Sequence, residues 1–435
     1  MVNLEWGKGN TLRYLVLVCG VLLLIAFVYW LLFLFGLVNV LPNAETLMRW
    51  DADFYKSIRD QGYIYMEGKN CNSGFFPLFP YLWKLSQLGT IGIVLVNTGL
   101  FIAGTVALSR QMQASPQILF IFLALPFMFF MFTPLSESLF YFFSVLVLIG
   151  IHRKSSSLIF TAVFLAALTR PSAAFFVPAG LLTFVLTSEK SELIKAKNWV
   201  LFLFRFVLPL ILGFAFVCLV QYFQTGHFLG YFEIQTSAWG RSFGMPQFPI
   251  GRTSEPLVVL LSRANFWLGT FILLWVLMFI WKKIKAVKSS DEANASEVFS
   301  TFFLLFSFFS VLFFNPEWFW WDEWTGTSIN GINRYLQANP FIFVFLIVLY
   351  RNKTKSWIPV LLLFLASCLL WFAFDPNYLK HISRTLPMLA IAGVLLPYWL
   401  YRYKRNYFFL GWILIVSVYL QCQMLNHYMN WVLVD

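Results

Sequence analysis

Charged side chains are scarce in this sequence: 11% of its 435 residues are Asp, Glu, Lys or Arg, against roughly 25% in an ordinary soluble chain. That shortage, with 60% hydrophobic residues and a mean hydropathy of +0.74, excludes soluble, fibrous and disordered classes. Cysteine is sparse too. Cys19, Cys71, Cys218, Cys368 and Cys422 lie far apart without paired spacing, so neither a zinc site nor a disulfide framework is encoded. No Gly-rich phosphate loop, internal repeat, low-complexity tract or separate soluble domain is visible. The run from Leu15 to Val40 is too long for a cleaved signal peptide and has no small-residue cleavage site, which predicts a first membrane span.

What the chain has in abundance is long apolar runs and aromatics, with 52 Phe, 18 Trp and 18 Tyr. Apolar runs and their breakers predict about thirteen spans, near 14–39, 91–109, 117–132, 135–151, 157–169, 172–187, 198–223, 257–281, 298–314, 337–350, 357–373, 385–400 and 407–423. Those flanking Thr133-Pro134 and Arg170-Pro171 are short, which predicts tilted, broken or re-entrant pairs. The expected fold is all-α, a polytopic membrane bundle forming a single domain over residues 1–435.

The net charge of +12 suggests nucleic acid only until the charges are placed. With a cytoplasmic N-terminus, the inside loops hold 18 Lys and Arg against 6 acids, and the outside segments 12 against 13. This is the positive-inside asymmetry of a membrane protein, and no nucleic-acid partner is expected. The outside loops 40–90, 224–256, 315–336 and 374–384 carry most of the acids, Trp, Pro and Gly. Chemistry is therefore expected to face outward.

Six constellations stand out in those loops. In Arg49-Trp50-Asp51-Ala52-Asp53-Phe54-Tyr55, the spacing of Leu47, Trp50, Phe54 and Ile58 predicts an interfacial amphipathic helix over 45–60. On a helix, Asp51 and Asp53 sit about 200° apart and cannot share a metal; in an extended segment they could. The helix is favoured, leaving one working acid and no metal or other cofactor. Glu137, in Thr133-Pro134-Leu135-Ser136-Glu137-Ser138, opens a helix, where a capping role is the simpler assignment. Arg170, alone at a proline break, is most simply a residue snorkelling to head groups. Gln235, Trp239 and Arg241 bring amide, aromatic and guanidinium groups that suit a sugar and a phosphate. Arg334, followed by Tyr335, lies outside against the charge bias and asks for an anionic partner; His381 and Arg384 share one helical face near Asp375 and Lys380 and suit a phosphate as well.

Taken in order, Trp50-Asp51, Gly62-Tyr63, Phe75-Phe76-Pro77-Leu78-Phe79-Pro80, Ser136-Glu137-Ser138-Leu139-Phe140, Thr169-Arg170-Pro171, Gln235 with Trp239 and Arg241, and Arg334-Tyr335 with Pro340 resemble the phosphatidylinositol glycan class V mannosyltransferases. The resemblance covers roughly residues 45–345. It implies the membrane C-superfamily (GT-C) glycosyltransferase fold, with an active site on the external or lumenal face, in a bacterial inner membrane or an endoplasmic reticulum membrane. It also implies a polyprenyl-phosphate sugar as donor and a lipid-linked or other glycan acceptor. The superfamily's catalytic acid falls on Asp51, with Asp53 or Glu137 as second-acid candidates.

The chemistry expected is a single displacement with inversion. Asp51 takes the acceptor proton, Arg334, Arg241, Arg170, His381 and Arg384 are ranked in that order for the donor phosphate, and Trp50, Gln235, Trp239 and Tyr335 are candidates for sugar and acceptor. A lipid or glycolipid transporter, or a membrane scaffold without catalysis, would also have many spans. The outward clustering of charge and the lack of an inverted repeat favour the enzyme.

Overall fold

The computed structural model describes residues 11–247, 250–251, 255–285, 294–314, 327–351 and 407–434. Among them the chain is helical: α1 (Thr11–Leu34), α2 (Asp51–Gln61), α3 (Leu78–Ser86), α4 (Thr90–Met112), α5 (Pro116–Leu123), α6 (Glu137–His152), α7 (Ser156–Ala167), α8 (Phe176–Thr187), α9 (Lys190–Leu193), α10 (Ala196–Phe202), α11 (Leu208–Thr225), α12 (Gly230–Ser237), α13 (Pro256–Lys285), α14 (Ala295–Phe313), α15 (Ile332–Gln337), α16 (Pro340–Arg351) and α17 (Tyr407–Met429). A two-residue parallel pairing, Ile250 with Thr327 and Gly251 with Ser328, ties two of the long loops together.

Five described helices are long and apolar enough to cross a membrane: Thr11–Leu34, Thr90–Met112, Ala196–Thr225, Leu257–Trp281 and Ala295–Phe313. The third runs without a break through α10, a π-helical turn at Leu203–Val207 and α11. With a bent pair counted as one span the number is six, and Ser156–Ala167, Pro171–Thr187 and Pro340–Arg351 are shorter apolar helices. The chain is an integral membrane protein by the length and apolarity of these helices. The expected spans 357–373 and 385–400 lie outside the described residues.

Two expected elements are drawn differently. The run 117–132 is not one span: Pro116 at the first helical position and Ser115, which caps Ile118 N at 3.4 Å, start a short α5, and Pro126 then opens a separate 3-10 turn, Pro126–Phe132. That turn meets α6 at 102°. A break of this kind in an apolar setting leaves carbonyls without helical partners. They are met from the side: Asn97 of α4 donates Nδ2 to the carbonyls of Thr133 (2.7 Å) and Leu135 (2.9 Å), Thr133 Oγ1 donates to Phe130 O (2.7 Å), and Ser138 Oγ to Met131 O (2.8 Å).

The second difference concerns the interfacial helix, which begins at Asp51 rather than residue 45 and buries Ala52, Tyr55 and Ile58. The expected face of Leu47, Trp50, Phe54 and Ile58 is interrupted, because Leu47 and Trp50 precede the helix and Trp50 has φ 56° and ψ −124°. That left-handed backbone at a non-Gly residue turns the chain sharply into Asp51.

The segments assigned outside by charge come together at one end of the bundle. Gln221 of α11 donates Nε2 to Ser73 O (2.8 Å) and accepts from Tyr231 N (2.9 Å), while Gln224 Oε1 accepts from Tyr63 N (2.7 Å). Gly62 has φ +82°, a backbone that favours glycine, and a Cβ there would stand 2.7 Å from Gln224 Oε1 and displace the end of that side chain from Tyr63 N. Leu78 N donates to Leu168 O at 3.1 Å, joining the first loop to the proline break at Arg170. Contacts among the inside-assigned segments gather separately: Arg351 meets Met112 O and Glu297, and Arg205 meets Ser156.

Candidate active site

Four charged residues from four separate segments converge at the end of the bundle where the loops assigned outside by charge meet. Arg334 sits in α15, delivered by Gly331 at φ 88° and buried to 8% exposure. Its Nη1 donates to Asp51 Oδ2 at 2.6 Å, and its Nε donates to Glu137 Oε1. Arg170 donates Nη1 to the same Glu137 oxygen and lies 3.4 Å from Ser136 Oγ. The guanidinium of Arg334 also rests 5.3 Å over the Phe130 ring. Two carboxylates and two guanidinium groups thus alternate in one chain of contacts, which is what makes their removal from water tolerable.

Each member is held by the fold around it. Asp51 opens α2, which is anchored by Tyr55, whose hydroxyl lies 2.7 Å from Ser136 Oγ, so the acid's own helix bonds to the residue before Glu137. Beneath Arg334 runs a buried amide ladder. Asn333 donates Nδ2 to Ser262 Oγ (2.8 Å) and accepts from Asn265 Nδ2 (2.8 Å), and Asn265 accepts in turn from Gln337 Nε2 (2.7 Å). Gln337 Oε1 accepts from Phe127 N at 3.4 Å, which returns the ladder to the broken helix. α15 has only six residues, and polar partners on two neighbouring elements hold it where its own hydrogen bonds are few.

Two assignments made from sequence are corrected here. Glu137 is not a plain helix cap: it is 2% exposed and clasped between Arg170 and Arg334. Arg170 does not snorkel outward: its side chain is 12% exposed and turned onto Glu137. A third is refined, since the anionic partners of Arg334 are the protein's own carboxylates, Asp51 and Glu137. Asp53 is exposed, on the other side of α2 from the Asp51 contact. Among the described residues no three His, Cys, Asp or Glu side chains gather where they would hold a metal ion. His381 and Arg384 lie outside the described residues.

The remaining candidates lie against α2 and the loop after it, or near Asp51 itself. Arg241 has burial working against its charge, more than offset by Tyr335, Tyr231 and Asp51 nearby, so its pKa lies above the ordinary value. Phe54 and Phe75 stack at 4.9 Å, and Trp239 packs edge-on to both at 6.2 Å. Gln235 donates Nε2 to Gly74 O at 3.2 Å. Trp50 Nε1, Gln235 Oε1, Trp239 Nε1, Arg241 Nε and Glu137 Oε2 are buried without a protein partner. Five such atoms, on residues of the acid cluster and of the loop packed against α2, are unusual, because buried polar atoms are ordinarily satisfied. Glu137, Arg170, Arg334, Tyr335 and Asn339 line a cavity of about 20 Å³, roughly the space of one water.

Residues that sequence reasoning passed over hold this arrangement: Asn97, Gln221, Asn265 and Gln337. An amide inside an apolar helix is costly unless partnered, and that signal was present at Asn97 and Asn265.

No family model matches the chain, and no curated protein matches it. Among solved structures it is similar to ArnT from Cupriavidus metallidurans bound to undecaprenyl phosphate, with 14% identity, a TM-score of 0.44, and coverage of 94% of this chain and 78% of that one. At that score the likeness carries neither residue roles nor a ligand from one chain to the other.

Proposed function

We propose that the chain is an inverting glycosyltransferase of the GT-C type that moves a sugar, mannose in the first instance, from a polyprenyl-phosphate donor to a hydroxyl of a lipid-linked or other glycan acceptor at the outer membrane face. The observation that carries this reading is the partly exposed carboxylate of Asp51, 22% exposed, held by a buried Arg334, with unpartnered buried polar atoms on the neighbouring Trp50, Glu137 and Arg241 and on the loop packed against α2. Trp50 and Trp239 with Gln235 supply an aromatic surface, two indole donors and an amide acceptor, the groups that recognise a sugar ring. A donor already activated and anchored in lipid needs no nucleotide domain, in keeping with a sequence in which no Gly-rich phosphate loop is visible.

In the proposed reaction the acceptor hydroxyl attacks the anomeric carbon, its proton passes to Asp51, and the bond from that carbon to the phosphate oxygen breaks with inversion. The departing phosphate gains charge. Arg241 is the cation best suited to meet it, because Asp51 and Glu137 already balance Arg334 and Arg170, leaving Arg241 as the third guanidinium with its Nε unpartnered. Arg334 has a double part: it orients Asp51, and a phosphate drawn to its Nη1 would compete with Asp51 and release the carboxylate to act as base. Ground-state pairing therefore keeps the base quiet until the donor arrives.

Incubating purified protein with a synthetic polyprenyl-phosphate mannose and membrane lipid extract tests this. A hexose-added product lost in Asp51→Asn supports it; no product with any polyprenyl-phosphate hexose removes it.

A further inference from the structure

The two halves of the Asp51–Arg334 pair are both fastened to one short segment at the end of α17, residues 426–434. On the Asp51 side, Tyr428 donates its hydroxyl to the carbonyls of Leu47 (3.2 Å) and Arg49 (3.1 Å), the residues that lead into Trp50. Arg49 returns the contact, donating Nε to Met429 O at 3.0 Å with its guanidinium 4.7 Å over the Trp431 ring. Asn426 Oδ1 accepts from the backbone of Asn39 (3.1 Å) and Val40 (3.3 Å). On the Arg334 side, the Tyr428 ring packs on Phe129 and Phe130 at 5.7 and 6.3 Å, and Phe130 is the ring beneath the Arg334 guanidinium. Asn333, next in sequence to Arg334, donates Nδ2 to Val434 O at 3.2 Å.

The same segment borders a strained turn. Trp50 has φ 56° and Trp431 has φ 62°, and the two indoles meet edge to face at 5.7 Å. A bulky residue held at positive φ persists only where its surroundings over-determine it. Trp50 is the residue whose backbone aims Asp51. The buried phenol of Tyr428, 1% exposed, touches both the strained approach to Asp51 and the aromatic bed of Arg334.

We propose that Tyr428 is a positioning residue that fixes the geometry between Asp51 and Arg334, with its hydroxyl setting the acid and its ring setting the guanidinium. The proposal rests on the glycosyltransferase reading for its kinetic consequence and on the contacts alone for its structural one. The two functions of one side chain separate by substitution. Tyr428→Phe keeps the ring and removes the hold on Leu47 and Arg49; Tyr428→Leu removes both.

The test uses the purified full chain in lipid nanodiscs, with initial rates from a synthetic polyprenyl-phosphate hexose and hydrogen exchange of backbone amides. Tyr428→Phe should lower kcat about ten-fold with donor KM within about two-fold, since a misaimed base slows chemistry more than donor capture. Amides 47–53 should exchange faster, while those of 332–337 stay as in the parent. Tyr428→Leu should lower kcat further, raise donor KM, and loosen both segments. A Tyr428→Phe protein whose kcat and exchange at 47–53 match the parent overturns the proposal, as does one that only melts earlier while its folded fraction turns over normally. Should the parent transfer no sugar, the glycosyltransferase reading falls instead. The exchange arm then decides alone: loosening confined to 47–53 in Tyr428→Phe and spread to 332–337 in Tyr428→Leu sustains the positioning role, and any other pattern ends it.

Discussion

Arg334 donates Nη1 to Asp51 Oδ2 at 2.6 Å across 283 residues of sequence, and with the same planar group it holds Glu137 through Nε. A guanidinium can do this because its donors form a rigid fork; an ammonium presents one compact charge. Arg334→Lys should therefore keep one of the two carboxylate contacts and part of the activity. Arg334→Ala should lose about 2–4 kcal/mol of transition-state stabilisation and unfold more easily. Initial rates and melting temperatures of the two variants check the order. Equal, parent-like rates in both would leave Arg334 no part in the chemistry.

Glu137 sits between two arginines at 2% exposure, so removing its charge strands both partners in an apolar setting. Glu137→Gln is expected to cost about 3–5 kcal/mol of stability, the usual result of breaking a buried pair from one side. Thermal unfolding in detergent measures it. A loss under about 1 kcal/mol, typical of an exposed pair, would mean that the cluster is open to water.

Arg241 carries the phosphate load in this account. Arg241→Ala should raise the donor KM by at least about ten-fold, the effect of one charge-assisted contact, with a smaller change in the rate at saturation. Titrating the donor in both proteins separates the two quantities. An unchanged KM would move the phosphate elsewhere.

Asn265 tests the ladder under α15. Asn265→Leu leaves Gln337 Nε2 and Asn333 Oδ1 without partners and should destabilise by about 1–3 kcal/mol. Asn97→Leu, which strips two carbonyls at the broken helix, should cost a similar amount. Neutral outcomes by calorimetry would mean that these amides are not holding the breaks.

The orientation rests on the charge count and is open to direct labelling. Lys69 and Lys154 are both exposed, in segments assigned to opposite faces. Cysteine placed at 69 should react with an impermeant reagent added outside, and cysteine at 154 should not. The reverse pattern inverts the topology.

The helices were legible because their signal is local. Apolar runs and prolines marked α1, α4 and the breaks at Pro134 and Pro171, and the period-based argument that Asp51 and Asp53 point apart agrees with α2. Arg334 stood out because its charge opposed the topology around it. What could not be seen was pairing. Glu137 and Arg170 each have a sufficient local explanation, capping and snorkelling, and nothing in a sequence announces that residues 33 or 197 positions apart will meet. The amphipathic face of residues 45–60 was misdrawn for a related reason: Trp50 is held in a left-handed conformation by contacts with residues near 430, which no local period can report.

The central claim is that Asp51 is the base for sugar transfer, and the most direct measurement is turnover of Asp51→Asn beside Asp53→Asn. With equal amounts of folded protein and a polyprenyl-phosphate hexose at saturation, Asp51→Asn should fall by about two orders of magnitude or more, because the amide keeps the size and loses the basicity. Asp53→Asn, on the exposed side of the same helix, should stay within about two-fold of the parent. Near-normal transfer by Asp51→Asn, or equal losses in the two variants, would contradict the account.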